Sequence, residues 1–589
     1  MQGITKRNGS SNEYIRDYSN MRGLSLVKSF DDPCHFSYLE NMYVDYESGG
    51  GAIESIPGFR RLYSFEQPIN SICSCGDNLL IHAADELYLI NKEERDNIPA
   101  LSPIANLKND KSHAFRYNGS TFISDGEQIL FVDGSGSVGR VDFTDVKVDF
   151  TAGAVHEEVL MLSGAKGSPS EVFCLKVNDD CTDFSIERCF KISEPVLSMS
   201  SLFGYLWIIT PNSILGYKKR DGQLVEEIKL DGITPLSPGV VFNGELAFVT
   251  RSGIYTLSYD DKIKLTCRSS AINPMLLNEN LRSARLALWR GYLAVCVGGR
   301  IYLADSRDMS KVGDSMEYRW YYLNGIGTYR KDKRVYRYAP ANADGYCSHL
   351  RLYEKAEGEI MSVTNESGDK IFFVEADGKK YSVHPTDEFD GGLFFPAVCV
   401  YQTDDLLFFG TECGDLCVFN NDMRGVAPKR LSQKADFNED EYKSAFGTRI
   451  HPDFYSFDRH APRYAVLTPR DRCGFPFDKK TDLPSSLILT LKSFPKSSLI
   501  IEEKHDSGSF RQVKKLFNST FDFYNLDFEN ASTSPEDYST VTLSHRCIGW
   551  KDKQISIYSK EFCSPFGIYS ICFGFKIQKT KKHLKKGRK

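Results

Sequence analysis

The sequence predicts an all-β protein: a β-propeller of six to eight blades followed by a smaller C-terminal β-sandwich-like domain. Three observations carry this. Tyr, Phe and Gly are abundant, strand-like alternation runs through most of the chain, and one hairpin pattern recurs every forty-odd residues.

The hairpins come first. "GDNLLIHAADELYLIN" (76–91) reads as a turn, an apolar strand, a polar turn and an alternating return strand. "NGSTFISDGEQILFVD" (118–133), "GYLWIITPNSILGYKK" (204–219), "GELAFVTRSGIYTLS" (244–258) and "GYLAVCVGGRIYLAD" (291–305) repeat that layout. Anchored on Leu79, Thr121, Leu206, Leu246 and Leu293, each copy places Tyr88, Leu130, Leu215, Tyr255 or Tyr302 nine positions later. A looser copy starts at Val159, and two more start at Ile371 and Leu406. Such a hairpin, with room for two further strands before the next, is the layout of a propeller blade, which buries both faces only by stacking on its neighbours. The wide gap between Leu293 and Ile371 suggests an insertion at 306–370, rich in Tyr and Arg.

The expected boundaries are an N-terminal arm and hairpin closing the propeller (1–65), the propeller (66–425), a C-terminal β domain (430–575) and a basic tail (576–589). In the arm, "FSYLENMYVDY" is a strand, "ESGGG" a turn in which glycine can take positive φ, and "AIESI" the return. Pro57-Gly58 suits the central positions of a type II turn.

Charge narrows the partners. The tail "KIQKTKKHLKKGRK" carries eight Lys/Arg and no acid, which leaves 65 basic against 78 acidic residues in 1–575. A body so acidic repels a phosphate backbone unless its charges are segregated. Lys581, Lys582, Lys585, Lys586, Arg588 and Lys589 are therefore the candidate nucleic-acid contacts, although a Lys-rich end is also an ordinary solvated tail. No apolar run follows Met1 and no stretch approaches ~18 apolar residues, so neither a signal peptide nor a membrane span is expected. The sixteen cysteines form no C-x-x-C pair, and the expectation is reduced thiols in a protein made in a cytoplasm.

Candidate chemistry is sparse. Gly134-Ser135-Gly136-Ser137-Val138-Gly139 is formally G-x-G-x-x-G, but "RVDFTDVKVDF" follows with period two. A dinucleotide loop must open a helix, so this segment reads as a connection between blades. His451, His460 and Cys473 are the weak candidates for a metal site, at spacings that match no zinc finger or ribbon. "HEEVL" at His156 lacks the second histidine of a zincin. Acid pairs such as Asp179-Asp180, Asp260-Asp261 and Asp404-Asp405 suit turns as well as glycoside hydrolysis. No nucleophile elbow is present. The sequence thus offers no catalytic residue and no cofactor.

One resemblance gives these pieces a role. Asn41-Met42-Tyr43, then a turn, then Glu54-Ser55-Ile56-Pro57-Gly58-Phe59-Arg60, ahead of a propeller-like run, resembles the tail-hub, nozzle or packaged-DNA stabilisation proteins of short-tailed bacteriophages. "HPDFYSFDRHAPRYAVLTPRDRCGFPF", "SSLILTLKSFP" and "YSKEFCSPFGIYSICFGF" look like the C-terminal part of such proteins. The family-motif positions are Asn41, Met42, Glu54, Ser55, Pro57 and Gly58. The resemblance implies a structural virion protein, synthesised in the host cytoplasm. Several copies would form a ring that continues the DNA channel, retains packaged DNA and anchors adaptor and fibre proteins. The acidic body would suit a channel lined with negative charge. The rival readings are a propeller glycosidase or depolymerase, with a carboxylate pair facing the propeller's central channel or a cleft, and a host propeller scaffold for protein–protein contacts.

Overall fold

The computed structural model describes residues 4–578 apart from 92–101, 142–149, 178–183, 324–328, 340–344, 350–355, 390–396, 420–462, 520–537, 560–564 and shorter breaks of one to four residues. Among the described residues all regular secondary structure is strand except for one four-residue helix, Asn273–Leu276, and one short 3-10 turn. It divides into two compact units. The larger holds the described residues of Pro57–Asn438, the smaller those of Met1–Ile56 and Ala461–Lys589.

The larger unit is a β-propeller. Six four-stranded antiparallel sheets follow in sequence, starting at Ile69–Cys75, His113–Tyr117, Ala152–His156, Ser198–Leu202, Val240–Phe242 and Arg285–Trp289. A seventh starts at Ala397–Thr403 and takes its outer strand, Phe59–Ser64, from the beginning of the unit. These first strands lie innermost: from His113–Tyr117 to Ala397–Thr403 each lies beside the next, Ala397–Thr403 lies beside Ile69–Cys75, and Ile69–Cys75 meets the second sheet at Ser120–Ser124. The ring is closed.

The packing between sheets shows why the sequence repeats. Leu80 and Leu87 of the first sheet share a cluster with Ile123 and Leu130 of the second. Phe122 joins Leu160 of the third, Met161 joins Leu206 of the fourth, and Trp207 joins Phe248 of the fifth. Phe242 meets the ring of Tyr318 in the sixth at 5.4 Å, Trp289 meets Phe419 in the seventh at 5.2 Å, and Phe408 packs with Leu79 of the first. The second strand of each sheet is consequently largely buried on both faces, as in Tyr205–Ile209, where every residue is buried and apolar. The outer strand Gln223–Asp231 is largely exposed.

The nine-residue recurrence is a pairing register. Ile81 lies opposite Tyr88, Ile123 opposite Leu130, Ile208 opposite Leu215, Phe248 opposite Tyr255 and Val295 opposite Tyr302. Glycine supplies the tight turns: Asn243 and Gly244 both have positive φ, 50° and 72°, as a type I′ hairpin requires.

Three expected boundaries shift. Residues 306–323 are not part of an insertion but belong to the sixth sheet, whose strands Arg300–Val312 and Ser315–Leu323 pair and bury Tyr318, Trp320 and Tyr321. The insertion is a separate four-stranded sheet between Tyr329 and Phe389, with its own cluster of Tyr338, Val374 and Val383. The repeat copy at Ile371 lies in that sheet, so eight hairpins make seven blades.

Residues 4–56 do not close the propeller; only Phe59–Ser64 does. They build the smaller unit with the C-terminal residues, because the long strand Gly567–Ile577 pairs with Glu13–Asp17, with Ile53–Ser55 and with Lys480–Asp482. This sheet has nine strands, and a second of five runs Tyr38–Glu40, Tyr464–Leu467, Lys553–Ser559, Lys496–His505, Arg511–Ser519. The C-terminal domain expected at 430–575 is therefore half of a unit that both parts of the chain complete.

Candidate functional site

Four of the family-motif residues, Asn41, Met42, Glu54 and Ser55, are joints of the smaller unit, and Pro57 and Gly58 open the larger one. Met42–Val44 and Ile53–Ser55 form the expected hairpin, and Gly51 in its turn has φ +60°. Asn41 is buried with φ 54°. Its side-chain amide donates to the Arg463 carbonyl at 2.8 Å, and its own carbonyl accepts from the Ile56 amide. Ser55 exchanges bonds with Phe566: its backbone amide and its hydroxyl reach the Phe566 carbonyl, and its Oγ accepts from the Phe566 amide at 2.9 Å. Met42 sits beneath that hydroxyl. Buried Glu54 is ion-paired with Lys492. Gly58 is not among the described glycines at positive φ, so Pro57-Gly58 is not a type II turn. It is the buried connection by which the chain enters the propeller.

The other sequence candidates do not assemble. His451, His460 and the basic residues Lys581, Lys582, Lys585, Lys586, Arg588 and Lys589 lie outside the described residues. Cys473 is buried at φ 53°, and its amide donates to Asp471 Oδ1 at 2.5 Å, which is a structural turn. His156 ends an inner strand, its Nδ1 2.9 Å from the Ser201 hydroxyl. The glycine-rich segment turns on Asp133, whose Oδ1 accepts from the amides of Ser135 and Ser137, and runs into the strand Val138–Val141. No helix follows, as expected.

The propeller axis is the second place to look. The seven inner strands contain Arg116 and Arg285 and no Asp or Glu. A hydrolytic carboxylate pair is therefore not built on them, and these strands bring no acidic side chain to the axis.

The densest chemistry lies in the smaller unit, where strand alternation places charges on the buried face. In Lys496–His505 the buried parity runs Leu499, Ile501, Glu503; in Lys553–Ser559 it runs Lys553, Ile555, Ile557. Glu503 pairs with Ile555 and His505 with Lys553, so Glu503 and Lys553 are diagonal neighbours on one face. Lys553 Nζ stands 2.8 Å from Glu503 Oε1 and 3.3 Å from both oxygens of Asp482. Asp482 also accepts from the Cys547 amide at 2.9 Å and the Trp550 indole at 3.0 Å. The ammonium lies 4.8 Å from the Phe573 ring centroid.

Burial opposes the Lys553 charge, but Glu503 and Asp482 outweigh it and hold the pKa above the ordinary lysine value. Burial lowers the pKa of His505, and the nearby Lys553 lowers it further. Ligand atoms of Asp482, Glu503 and His505 fall within 4.8 Å of one another, and His545 Nε2 is 3.5 Å from Glu503 Oε2. The arrangement can hold a cation beside a fixed ammonium; it contains no nucleophile paired with a base. Sequence reading missed it, and the available signal was parity: Glu503 and Lys553 occupy inward positions of alternating strands.

No family model and no curated protein matches this sequence. Among solved structures, virginiamycin B lyase from Staphylococcus aureus, in a catalytically inactive form with quinupristin, is similar at TM-score 0.35 and 10% identity, covering 62% of this chain and 99% of that one. The extracellular domain of a hybrid two-component system from B. thetaiotaomicron gives TM-score 0.32 at 10% identity over 60% of this chain and 51% of that one. A computationally designed protein, Ika8, gives 0.32 at 10% identity over 61% and 98%. Likeness at this level says nothing of activity, and the propeller is read from sheet order and packing. Among the described residues no helix is long and apolar enough to cross a membrane.

Proposed function

We propose that this chain is a structural component of a tailed-phage virion, with a seven-bladed propeller as its body and a β-sandwich-like module made from both parts of the chain. Several copies form a ring in the tail that continues the DNA channel, retains the genome and anchors adaptor and fibre proteins. One observation supports the reading above the rest. Most of the residues that resemble such proteins, Asn41–Ile56 of the first stretch and the described residues from Arg463 onward of the later ones, belong to one compact unit, while Pro57–Arg60 already belong to the propeller unit. Asn41 and Ser55 bind Arg463 and Phe566 directly there.

The resemblance at Asn41 and Ser55 then has a physical reason, since each closes a joint between distant segments. The absence of carboxylates from the inner strands weighs against the glycosidase alternative. The basic residues Lys581 to Lys589 supply phosphate contacts whose affinity falls with salt.

The test is direct. Full-length chain mixed with the portal–adaptor complex of the same phage should add a ring of density in negative stain, and mass spectrometry of purified virions should find the chain in several copies. Virions that lack the chain would overturn the reading.

A further inference from the structure

The cluster around Lys553 is charged beyond what its own lysine balances. Asp482 and Glu503 contribute two negative charges to the buried side, and Lys553 contributes one positive charge. The oxygens of Asp482 are occupied by the Cys547 amide, the Trp550 indole and the Lys553 ammonium. Glu503 differs: Oε1 faces Lys553, while Oε2 is buried and has no hydrogen-bond partner. The Glu503 side chain is 1% exposed. A buried carboxylate oxygen left this way is costly unless a cation meets it.

Two imidazoles turn toward that oxygen. His505 Nε2 lies 3.6 Å from Glu503 Oε2 and His545 Nε2 lies 3.5 Å from it. Both distances exceed a hydrogen bond, and His505 Nε2 is itself buried without a partner. The spacing has another meaning. Both distances match the roughly 3.3–3.6 Å between two ligands about 2.0–2.2 Å from one tetrahedral zinc ion; the two imidazole nitrogens do not lie within 4.8 Å of each other, and the partly exposed His545 completes the set by turning inward.

We propose that Glu503, His505 and His545 bind a divalent d-block cation of the zinc class through Oε2 and the two Nε2 atoms, with a fourth position open toward solvent. The side chain of His545 is 39% exposed, so the ion has a way in. Two imidazoles and one carboxylate are a donor set that zinc accepts, and a hard cation such as magnesium would prefer oxygens alone. Asp482 holds Lys553 in place behind the site, so the ammonium stays on Oε1 while the metal takes Oε2. The ion would pin the strand ending at His505 to the segment carrying His545, a structural role that requires no substrate.

The experiment uses the full chain, stripped with a chelator and titrated with Co²⁺ alone and then with Zn²⁺ by calorimetry. One equivalent should bind, Co²⁺ should develop the intense visible bands of a low-coordinate nitrogen–oxygen site, and Zn²⁺ should displace it. His545→Ala should retain the wild-type circular dichroism and lose affinity by about tenfold or more. Glu503→Gln should abolish binding; if that variant fails to fold, His545→Ala still decides the matter. A folded wild-type chain that takes up no stoichiometric Co²⁺ or Zn²⁺, or a His545→Ala chain that binds as tightly as wild type, would overturn the proposal. So would equal affinity for Mg²⁺.

Discussion

Arg16 donates its Nε–H to Asp471 Oδ2 across 2.5 Å, although the two residues stand 455 positions apart and both side chains are withdrawn from solvent. Tyr18 donates its hydroxyl to the same oxygen at 2.6 Å, and the Cys473 amide donates to the other. Burial disfavours the Arg16 charge, yet Tyr18 and Asp471 hold its pKa above the ordinary arginine value. Asp471→Asn would leave a guanidinium buried without its counter-ion, which costs on the order of 3–5 kcal/mol. Tyr18→Phe would cost less, about 1–3 kcal/mol. Hydrogen exchange should show early loss of protection in Glu13–Asp17 and Gly567–Ile577, while propeller strands such as Tyr205–Ile209 keep theirs. Uniform loss across both units would contradict a local role.

Closure of the propeller depends on its first strand. Phe59 lies opposite Phe419 in the register of the seventh sheet, and its ring meets Phe409 at 4.9 Å and Phe419 at 5.9 Å. Truncation to Ala removes a buried aromatic at the seam, for an expected loss of about 3–5 kcal/mol. A ring of stacked sheets opens first at the blade completed from two distant segments. Limited proteolysis of Phe59→Ala should therefore cut first near 57–65. First cleavage elsewhere in the ring would count against this seam as the weak point.

Glu317 gives the propeller a pH dependence. Its carboxylate is fully buried on the outer strand Ser315–Leu323 of the sixth sheet, accepts one bond from the Ala271 amide at 2.8 Å and keeps Oε1 without a partner. Burial pushes its pKa up to about 7, against the opposing pull of the Ala271 amide and Arg268. The folded state thus holds a proton that the unfolded chain, titrating near the ordinary glutamate value of about 4.3, has already released. This contribution is complete below that value and fades as pH rises through about 7. Glu317→Gln should flatten the fall in propeller stability between pH 5 and pH 8, with an advantage of no more than about 3 kcal/mol at pH 8. Parallel stability–pH curves for the two proteins would refute it.

What could be read in advance follows from which interactions are local. The five-copy register was legible because each hairpin pairs residues a fixed few positions apart, and because second strands such as Leu246–Thr250 must be apolar on both faces. The smaller unit was not legible as one body. Its pairings, such as Glu13 with Lys576 and Tyr38 with Leu467, span nearly the whole chain, and a strand pattern alone names no distant partner. The motif around Asn41 was visible as a signature, while its task became clear only once Arg463 and Phe566 were seen against it. The Glu503–Lys553 diagonal was hidden for the same reason, since it depends on pairing across a strand separation of about fifty residues.

The inserted sheet between Tyr329 and Phe389 should be dispensable for the propeller. The inner strand Arg285–Trp289 already lies beside Ala397–Thr403, so the ring does not need the sheet to bridge the sixth and seventh blades. Elsewhere the passage from an outer strand to the next inner one is made by short segments such as 107–112 and 192–197. The inserted sheet also has its own core, in which the ring of Tyr338 stacks on His349 at 3.9 Å and Tyr336 packs against Phe372 at 5.1 Å. Replacing 324–396 with a flexible linker of about eight residues, within the usual range for connections, should leave the propeller's melting transition and its exchange protection close to wild type. If the sheet is an attachment surface for a neighbouring tail protein, the shortened chain will fold and fail to bind that protein in a pull-down with tail components. Collapse of the propeller in the shortened chain would instead make the sheet a structural part of the ring.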